Sequence, residues 1–187
     1  MKDSLLPSRA SGCIPLILVV ESEFSAWLEQ QDDALQRWLI ITGFKAKSDR
    51  FSLIPDANGQ LRTVIAGIAN ADNLWALGSL PANLPEGDYT LDAAFTPSQL
   101  ERLTLGWALG AYQFTRYKAA KRAPARLALD PSCDADRIQR QITAINLVRD
   151  LINTPAADMM PEHLAEATLA LGREFGATVE QTVGRCV

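Results

Sequence analysis

The side chains that most often perform chemistry are sparse in this sequence, beginning with histidine. His163 is the one histidine of the chain, so any Ser-His-Asp or Cys-His arrangement would have to use it. It stands in "PEHL", in the first turn of a predicted helix, and no His-x-x-x-His or His-Glu-x-x-His motif accompanies it. These features favour a solvent-exposed helix residue, with a metal ligand as the alternative.

The three cysteines offer little more. Cys13, Cys133 and Cys186 are far apart, and no Cys-x-x-Cys pair occurs. A structural zinc site is therefore disfavoured. Free thiols in a reducing cytoplasm are the plain interpretation. A reactive thiol is the disfavoured alternative, because no flanking histidine is present to activate one.

Acidic residues occur in two pairs that could suggest acid–base chemistry. Asp32 and Asp33 lie in the polar segment "EQQDDA", between two predicted helical pieces, and Asp134 and Asp136 open a later helix. Carboxylates at a helix start accept hydrogen bonds from unpaired N–H groups and interact well with the helix dipole. Helix capping is therefore favoured over catalysis at both places.

A basic cluster is the most prominent charge feature. Its members are Arg116, Lys118, Lys121, Arg122 and Arg126, with Tyr117 among them. The pattern is compatible with nucleic-acid contact, most directly through the first four. A solvated helix end is the favoured interpretation. The net charge of −4 also argues against general affinity for nucleic acid, which rests on cationic contacts with phosphates.

Cofactor-binding and membrane classes lack their usual signatures. No Gly-x-Gly-x-x-Gly follows a predicted strand and no Walker-type loop occurs, so a dinucleotide enzyme is disfavoured. Gly106 and Gly110 lie inside a predicted helix, where they are expected to permit close packing. The content of 48% hydrophobic and 21% charged residues fits one ordinary globular domain, with or without a small extension. No apolar run is long enough to span a membrane.

Apolar runs and stripes predict the elements that would position these residues. "IPLILVV" predicts a central strand over 14–20, and residues 25–44 predict helical structure that stops at Gly43. The Asn-Gly step in "PDANGQ" predicts a hairpin between two short strands. "NADNLWALGSLP" predicts a short helix that ends near Gly78, and "LPEGDYTLD" a turn followed by a short strand.

Three helices are predicted in the second half. The first starts with a capping box at Thr96 and Gln99, is apolar on two sides, and continues into the basic segment around 116–126. "RLALD" then predicts a strand, and a second helix runs from about 134 to 152 before Pro155. The third spans 161–175, and "ATVEQTV" predicts a last strand. Strands that alternate with helices predict an α/β fold, a three-layer sheet flanked by helices, followed by a long linker helix.

Four segments resemble the leucyl aminopeptidase (cytosol aminopeptidase) family of metallo-exopeptidases. They are "LPANLPEGDYTL" at 80–91, "GWALGAYQFTRYK" at 106–118, "INLVRDLINTPAADMMPEHLAEA" at 145–167 and "FGATVE" at 175–180. They follow the family's order and separations, and the resemblance covers about residues 40–187. The most specific run contains Asn153, Thr154, Pro155 and Asp158.

The resemblance implies a Rossmann-like α/β N-terminal domain joined by a long helix to a catalytic domain. In this chain it implies an N-terminal domain over 1–131, a connecting helix over 132–154, and the beginning of the catalytic domain over 155–187. The family's catalytic domain binds two divalent metal ions, Zn or Mn, through Asp, Glu and Lys. A metal-bridging water attacks the peptide carbonyl, and one metal holds the substrate's amino group. A cytoplasmic hexamer that acts on peptides, without membrane contact, is also implied; some members bind DNA.

This chain departs from the family in one respect. The Gly-rich metal-binding segments and the "NTDAEGR"-like segment do not occur in the 187 residues, so no catalytic residue or metal ligand is carried over. We expect the N-terminal portion of a longer aminopeptidase, inactive alone, that serves substrate access and oligomer assembly. Asn153, Thr154, Pro155 and Asp158 would then mark a structural boundary. The alternative is a stand-alone, non-catalytic protein- or DNA-binding module that uses the 116–126 basic cluster.

Overall fold

The structure is a computed structural model that describes residues 4–92 and 95–184. The chain divides into two compact units, Met1–Ala144 and Ile145–Val187. All the strands described below lie in the first unit. None of the described helices is long and apolar enough to cross a membrane.

Within the described residues, six strands form one mixed sheet. In chain order they are β1 (Leu5–Leu6), β2 (Ile14–Val20), β3 (Phe51–Pro55), β4 (Leu61–Ile68), β5 (Asp88–Leu91) and β6 (Arg126–Ala128). Their order in the sheet is β1-β6-β5-β2-β4-β3, and every neighbouring pair is parallel except the β3–β4 hairpin. The predicted α/β fold with a largely parallel sheet is confirmed, and β2 has the predicted bounds.

The part of the chain that the structure describes forms six α-helices. They are α1 (Phe24–Glu29), α2 (Asp33–Ile41), α3 (Leu80–Asn83), α4 (Pro97–Gly110), α5 (Ala135–Asn153) and α6 (Pro161–Phe175), with 3-10 turns at Glu21–Glu23 and Ala156–Asp158. Helix α4 begins with the predicted capping box, in which the Gln99 N–H donates to Thr96 Oγ1 and the Thr96 N–H donates to Gln99 Oε1. Helices α5 and α6 lie within a residue or two of their predicted bounds.

The two faces of the sheet are covered by different helices. On one face, Leu103 and Trp107 of α4 pack against the apolar side chains of β2 and β4. On the other face, Leu39 of α2 packs against Val19 and Ile65 of the same strands. Residues of a strand alternate between the faces of a sheet, so two covered faces require the nearly continuous apolar sequences of β2 and β4. This arrangement is the predicted three-layer architecture.

Helix α4 is buried on two sides, as its two apolar stripes predict. The side away from the sheet carries Ala108, which packs with Ile138 and Ile142 from the first half of α5. Gly106 and Gly110 lie where a Cβ atom would overlap backbone: the Leu74 carbonyl for Gly106 and the Gly78 carbonyl for Gly110. The prediction that these glycines permit close packing is therefore confirmed.

One predicted helical segment differs in the structure, and another is divided as predicted. The two helical pieces expected over 25–44 are α1 and α2, and Asp32 Oδ1 accepts the N–H of Leu35 at 2.8 Å at the start of α2. The segment that ends near Gly78 forms turns instead of a helix. There Asn73 Oδ1 accepts the Trp75 N–H at 3.0 Å, a turn geometry that competes with helical hydrogen bonds.

Two further predictions are wrong because of longer-range requirements. Helix α4 ends at Gly110, and residues 112–125 form no helix, because the chain returns to the sheet at β6; just before β6 the Ala125 N–H donates to Pro81 O of α3 at 2.9 Å. The "ATVEQTV" segment forms no strand within the described residues. A strand needs a hydrogen-bonded neighbour, and the described part of the second unit supplies none.

Candidate functional site

Four members of the basic cluster lie on an irregular segment and Arg126 begins β6, so the interpretation as a solvated helix end is wrong. Two of its five members make hydrogen bonds to other residues of the first unit. Arg122 Nη2 donates to Leu84 O, and the guanidinium of Arg126 donates to both carboxylate oxygens of Asp88, at 2.6 and 2.9 Å. Arg122 is consequently half-buried, although the sequence pattern suggested a side chain available for DNA.

The remaining basic side chains are exposed. The Arg116 guanidinium lies 5.5 Å from the centroid of the Tyr117 ring, a cation–π geometry, and the same ring contacts Phe114 at 5.9 Å. Lys118 and Lys121 are also exposed. The dispersed positive charge that remains does not favour the DNA-binding alternative.

Residues 84–89 anchor the basic segment to the core. Tyr89 is fully buried, contacts the Trp107 ring, and donates its hydroxyl to Pro85 O at 2.9 Å. Burial raises the pKa of Tyr89 to about 12, a rise that the nearby Arg122 partly opposes. Trp107 in turn donates its indole N–H to Ala125 O at 3.2 Å. The end of the basic segment, at Ala125, is therefore held by the buried side chain of Trp107.

The boundary run forms a compact turn within the second unit. Thr154 donates both its N–H and its hydroxyl to Asp150 O, at 3.1 and 2.7 Å, which closes the end of α5. Pro155 then starts the 3-10 turn, in which the Asp158 N–H donates to Pro155 O at 2.9 Å. Asn153 is the last residue of α5. Thr154 thus binds a backbone carbonyl that would otherwise be unpaired at the helix end.

His163 stabilises the start of α6. Its Nδ1 accepts the Met160 N–H at 3.0 Å, which satisfies one of the unpaired donors that precede the helix. The side chain is exposed. At the other end of α6, Gly176 adopts φ 66°, the left-handed conformation that ends many helices and that glycine adopts without steric cost. The structure thus assigns His163 a helix-capping contact.

The cysteines and acids also have structural contacts. Burial, and then the charge of Asp130, raise the pKa of the Cys133 thiol, which keeps it protonated and a poor nucleophile. Cys13 forms no disulfide, and Cys186 lies outside the described residues. Asp134 Oδ1 accepts the Arg137 N–H at 2.9 Å at the start of α5, as its predicted capping role requires.

A shallow cleft of about 220 Å³ lies between α2 and the β3–β4 hairpin. Asp32, Asp56 and Arg62 line it. Asp32 caps α2, and Asp56 Oδ1 accepts the N–H groups of Asn58 and Gln60 in the hairpin turn. Both carboxylates are therefore hydrogen-bonded to backbone N–H groups. Within residues 4–92 and 95–184, no group of three or more His, Cys, Asp or Glu side chains could hold a metal ion. The described residues therefore do not fit a metal centre.

Comparison with known proteins identifies the domain. The family profile of the M17 aminopeptidase N-terminal domain matches residues 14–130, which is most of the first unit. The chain belongs to the M17 aminopeptidase family. Among curated M17 relatives, a probable cytosol aminopeptidase of Mycobacterium sp. (strain KMS) is 36% identical over 93 residues. A probable cytosol aminopeptidase of Rhodococcus opacus (strain B4) is 28% identical over 164 residues.

Solved structures agree with this M17 assignment. The cytosol aminopeptidase of Coxiella burnetii superposes with a TM-score of 0.82 at 33% identity, over 92% of this chain and 38% of that one. The bottromycin maturation enzyme BotP, solved in complex with Mn, has a TM-score of 0.62 at 19% identity, over 89% of this chain and 37% of that one, and shows only a shared fold.

The chain spans only part of these M17 proteins. The Mycobacterium match covers 43% of this chain and 18% of the relative, and the Rhodococcus match covers 76% of this chain and 32% of the relative. The M17 assignment is consistent with the core geometry described above. It confirms the resemblance carried by "GWALGAYQFTRYK", a segment in which Gly106, Trp107 and Gly110 are packed against the sheet or its connecting turns.

Proposed function

We propose that this chain is the N-terminal portion of a metal-dependent leucyl aminopeptidase that removes N-terminal amino acids from peptides. The match of the M17 N-terminal domain to residues 14–130 carries the proposal. The greater length of the relatives leaves room for a catalytic domain. The two divalent ions, Zn or Mn, would be held by residues outside this chain, and no reaction step is assigned to the residues described above.

The proposed role of the chain itself is to shape substrate access and to support assembly. Residues 1–131 would form the N-terminal domain, 132–154 the connecting helix, and 155–187 the beginning of the catalytic domain. The capped turn at Thr154 and Pro155 supports a boundary there, because it ends α5 sharply. Asn153 and Asp158 would belong to the same boundary. We further propose a hexamer in the cytoplasm, with peptides as substrates.

The experiment compares the natural full-length product with the 187-residue chain, both purified to homogeneity. Leucine p-nitroanilide is the substrate, with Mn²⁺ or Zn²⁺ added and a chelator as control. The full-length protein should release nitroaniline in a chelator-sensitive manner, and the 187-residue chain should not. Chelator-sensitive turnover by the pure chain would show that catalytic residues lie within it. A full-length protein without peptidase activity on any aminoacyl substrate would overturn the proposal.

A substitution at His163 separates its helix-capping contact from a metal-binding role. His163→Ala in the full-length enzyme removes the Nδ1 acceptor of the Met160 N–H, so it should lower stability by about 1 kcal/mol. The turnover number and bound metal content should stay at the wild-type level. Loss of metal, measured by atomic emission, together with loss of turnover would contradict the capping assignment.

A further inference from the structure

The outer edge of β3 is the longer of the two edges of the sheet. Strand β1, at the opposite edge, has two residues, whereas β3 has five. Within the described residues, no strand pairs with the outer side of β3. The N–H and C=O groups along such an edge are able to pair with another chain.

The ladder between β3 and β4 defines which backbone groups point outward. The Gly67 N–H donates to Arg50 O at 2.9 Å, and Phe51 lies opposite Ala66. Hydrogen-bonded and non-hydrogen-bonded pairs alternate along an antiparallel ladder, so Ser52 and Ile54 bond to β4. The backbone groups of Phe51 and Leu53 therefore point away from the sheet. The extra residue of the β-bulge falls on β4, since Ile54 pairs with Thr63 and Pro55 with Leu61, and β3 stays regular.

We propose that β3 pairs antiparallel with β3 of a second copy of this chain, across a two-fold axis at Leu53. In this register Leu53 lies opposite Leu53 of the other copy, Phe51 opposite Pro55, and Arg50 opposite Asp56. The N–H groups of Phe51 and Leu53 donate across the axis, two from each copy. Pro55 has no N–H to contribute, which limits the pairing to the centre of the strand. The result is one continuous sheet through both copies.

Charge and burial favour this occupant over an unrelated strand. The two-fold axis brings exposed Arg50 of each copy to Asp56 of the other, so the edge is complementary to itself. The Leu53 side chain is 36% exposed at the edge, and its symmetry mate would cover it. The geometry, charge and exposure of this edge do not depend on the peptidase activity proposed above, so the pairing holds whether or not that activity is found.

Cysteine cross-linking tests the register. Leu53→Cys places two thiols directly opposite each other at a Cα separation of about 5.5 Å, within the range that a disulfide requires. Under mild oxidation this variant should give a covalent dimer joined at position 53, identified by peptide mass spectrometry. Ile41→Cys is the matched control, because Ile41 is 83% exposed and belongs to α2, not to β3. The wild type controls for the native cysteines. Equal cross-linking of both variants would overturn the proposal.

Sedimentation equilibrium tests the hydrogen bonds and the charge pair. Leu53→Pro removes two of the four donors without taking a bond from β4, so the dimer Kd should rise at least about tenfold. Arg50→Glu should raise it severalfold, and less so at high salt. Phe175→Ser, in the second unit, should leave it unchanged. Thermal unfolding confirms that each variant is folded. A wild type that stays monomeric into the millimolar range, or an Arg50→Glu variant that dimerises like wild type, refutes the interface.

Discussion

Alanine at Gly106 or Gly110 should destabilise the first unit, although alanine is the better helix former. In a helix interior, replacing glycine by alanine gains about 1 kcal/mol. Here the new methyl group overlaps the carbonyl of Leu74 or Gly78, and backbone atoms cannot rotate away as a side chain can. Overpacking of this kind costs roughly 1–3 kcal/mol, and the backbone contact favours the upper end. The net loss should be about 1–2 kcal/mol for each substitution.

The assay is thermal and urea unfolding followed by circular dichroism and by tryptophan fluorescence, since Trp107 lies on the same helix. A loss of this size lowers Tm by about 2–8 °C. Gly172→Ala in α6 is the matched control. Its methyl group meets chiefly the Val179 side chain and no backbone atom closer than 3.4 Å, so the loss should be smaller and stay within about 1 kcal/mol. A Gly106→Ala or Gly110→Ala protein as stable as wild type would show that close packing does not require these glycines.

The remaining predictions concern single contacts. The pKa of Tyr89 is about 12 in the folded chain and about 10 when unfolded, so its contribution to stability is complete below pH 10 and is lost as the pH rises towards 12. Urea unfolding from pH 8 to 12 should show this decline in the free energy of unfolding. The substitution Tyr89→Phe should remove the decline. Thr96→Ala breaks the capping box of α4 and should cost about 1 kcal/mol, whereas Ser98→Ala, on the exposed side of the same turn, should cost a few tenths. Gly176→Ala forces a methyl group into the left-handed conformation, so local unfolding of α6, read by amide hydrogen exchange, should become about 1 kcal/mol easier. Unchanged exchange rates across α6 would contradict that prediction.

Elements whose ends are defined by neighbouring residues were predictable from the sequence. Pro161 and Gly176 bound α6, because proline fits the first turn of a helix and glycine accepts the left-handed conformation after it. The run "IPLILVV" gave the bounds of β2, since a strand covered on both faces is apolar throughout. The capping box of α4 and the hairpin turn are likewise interactions between residues only a few positions apart.

One error arose where several local interactions compete. The helical pattern that ends near Gly78 was genuine, but Asn73 binds a nearby backbone N–H group and interrupts it. The free-energy difference between such a turn and another helical residue is small. A periodic apolar pattern does not report which of the two is more stable.

The sequence by itself determined the family, the α/β class and the ends of the locally capped helices. Only the tertiary structure decided what the basic cluster does and where α4 ends. Arg122 contacts Leu84 and Arg126 contacts Asp88, each across 38 residues of chain. Their charges were visible in the sequence, but their partners depend on β5 and β6 lying side by side. Local patterns reflect interactions over a few residues, whereas a sheet brings together residues whose separation in the chain carries no such pattern.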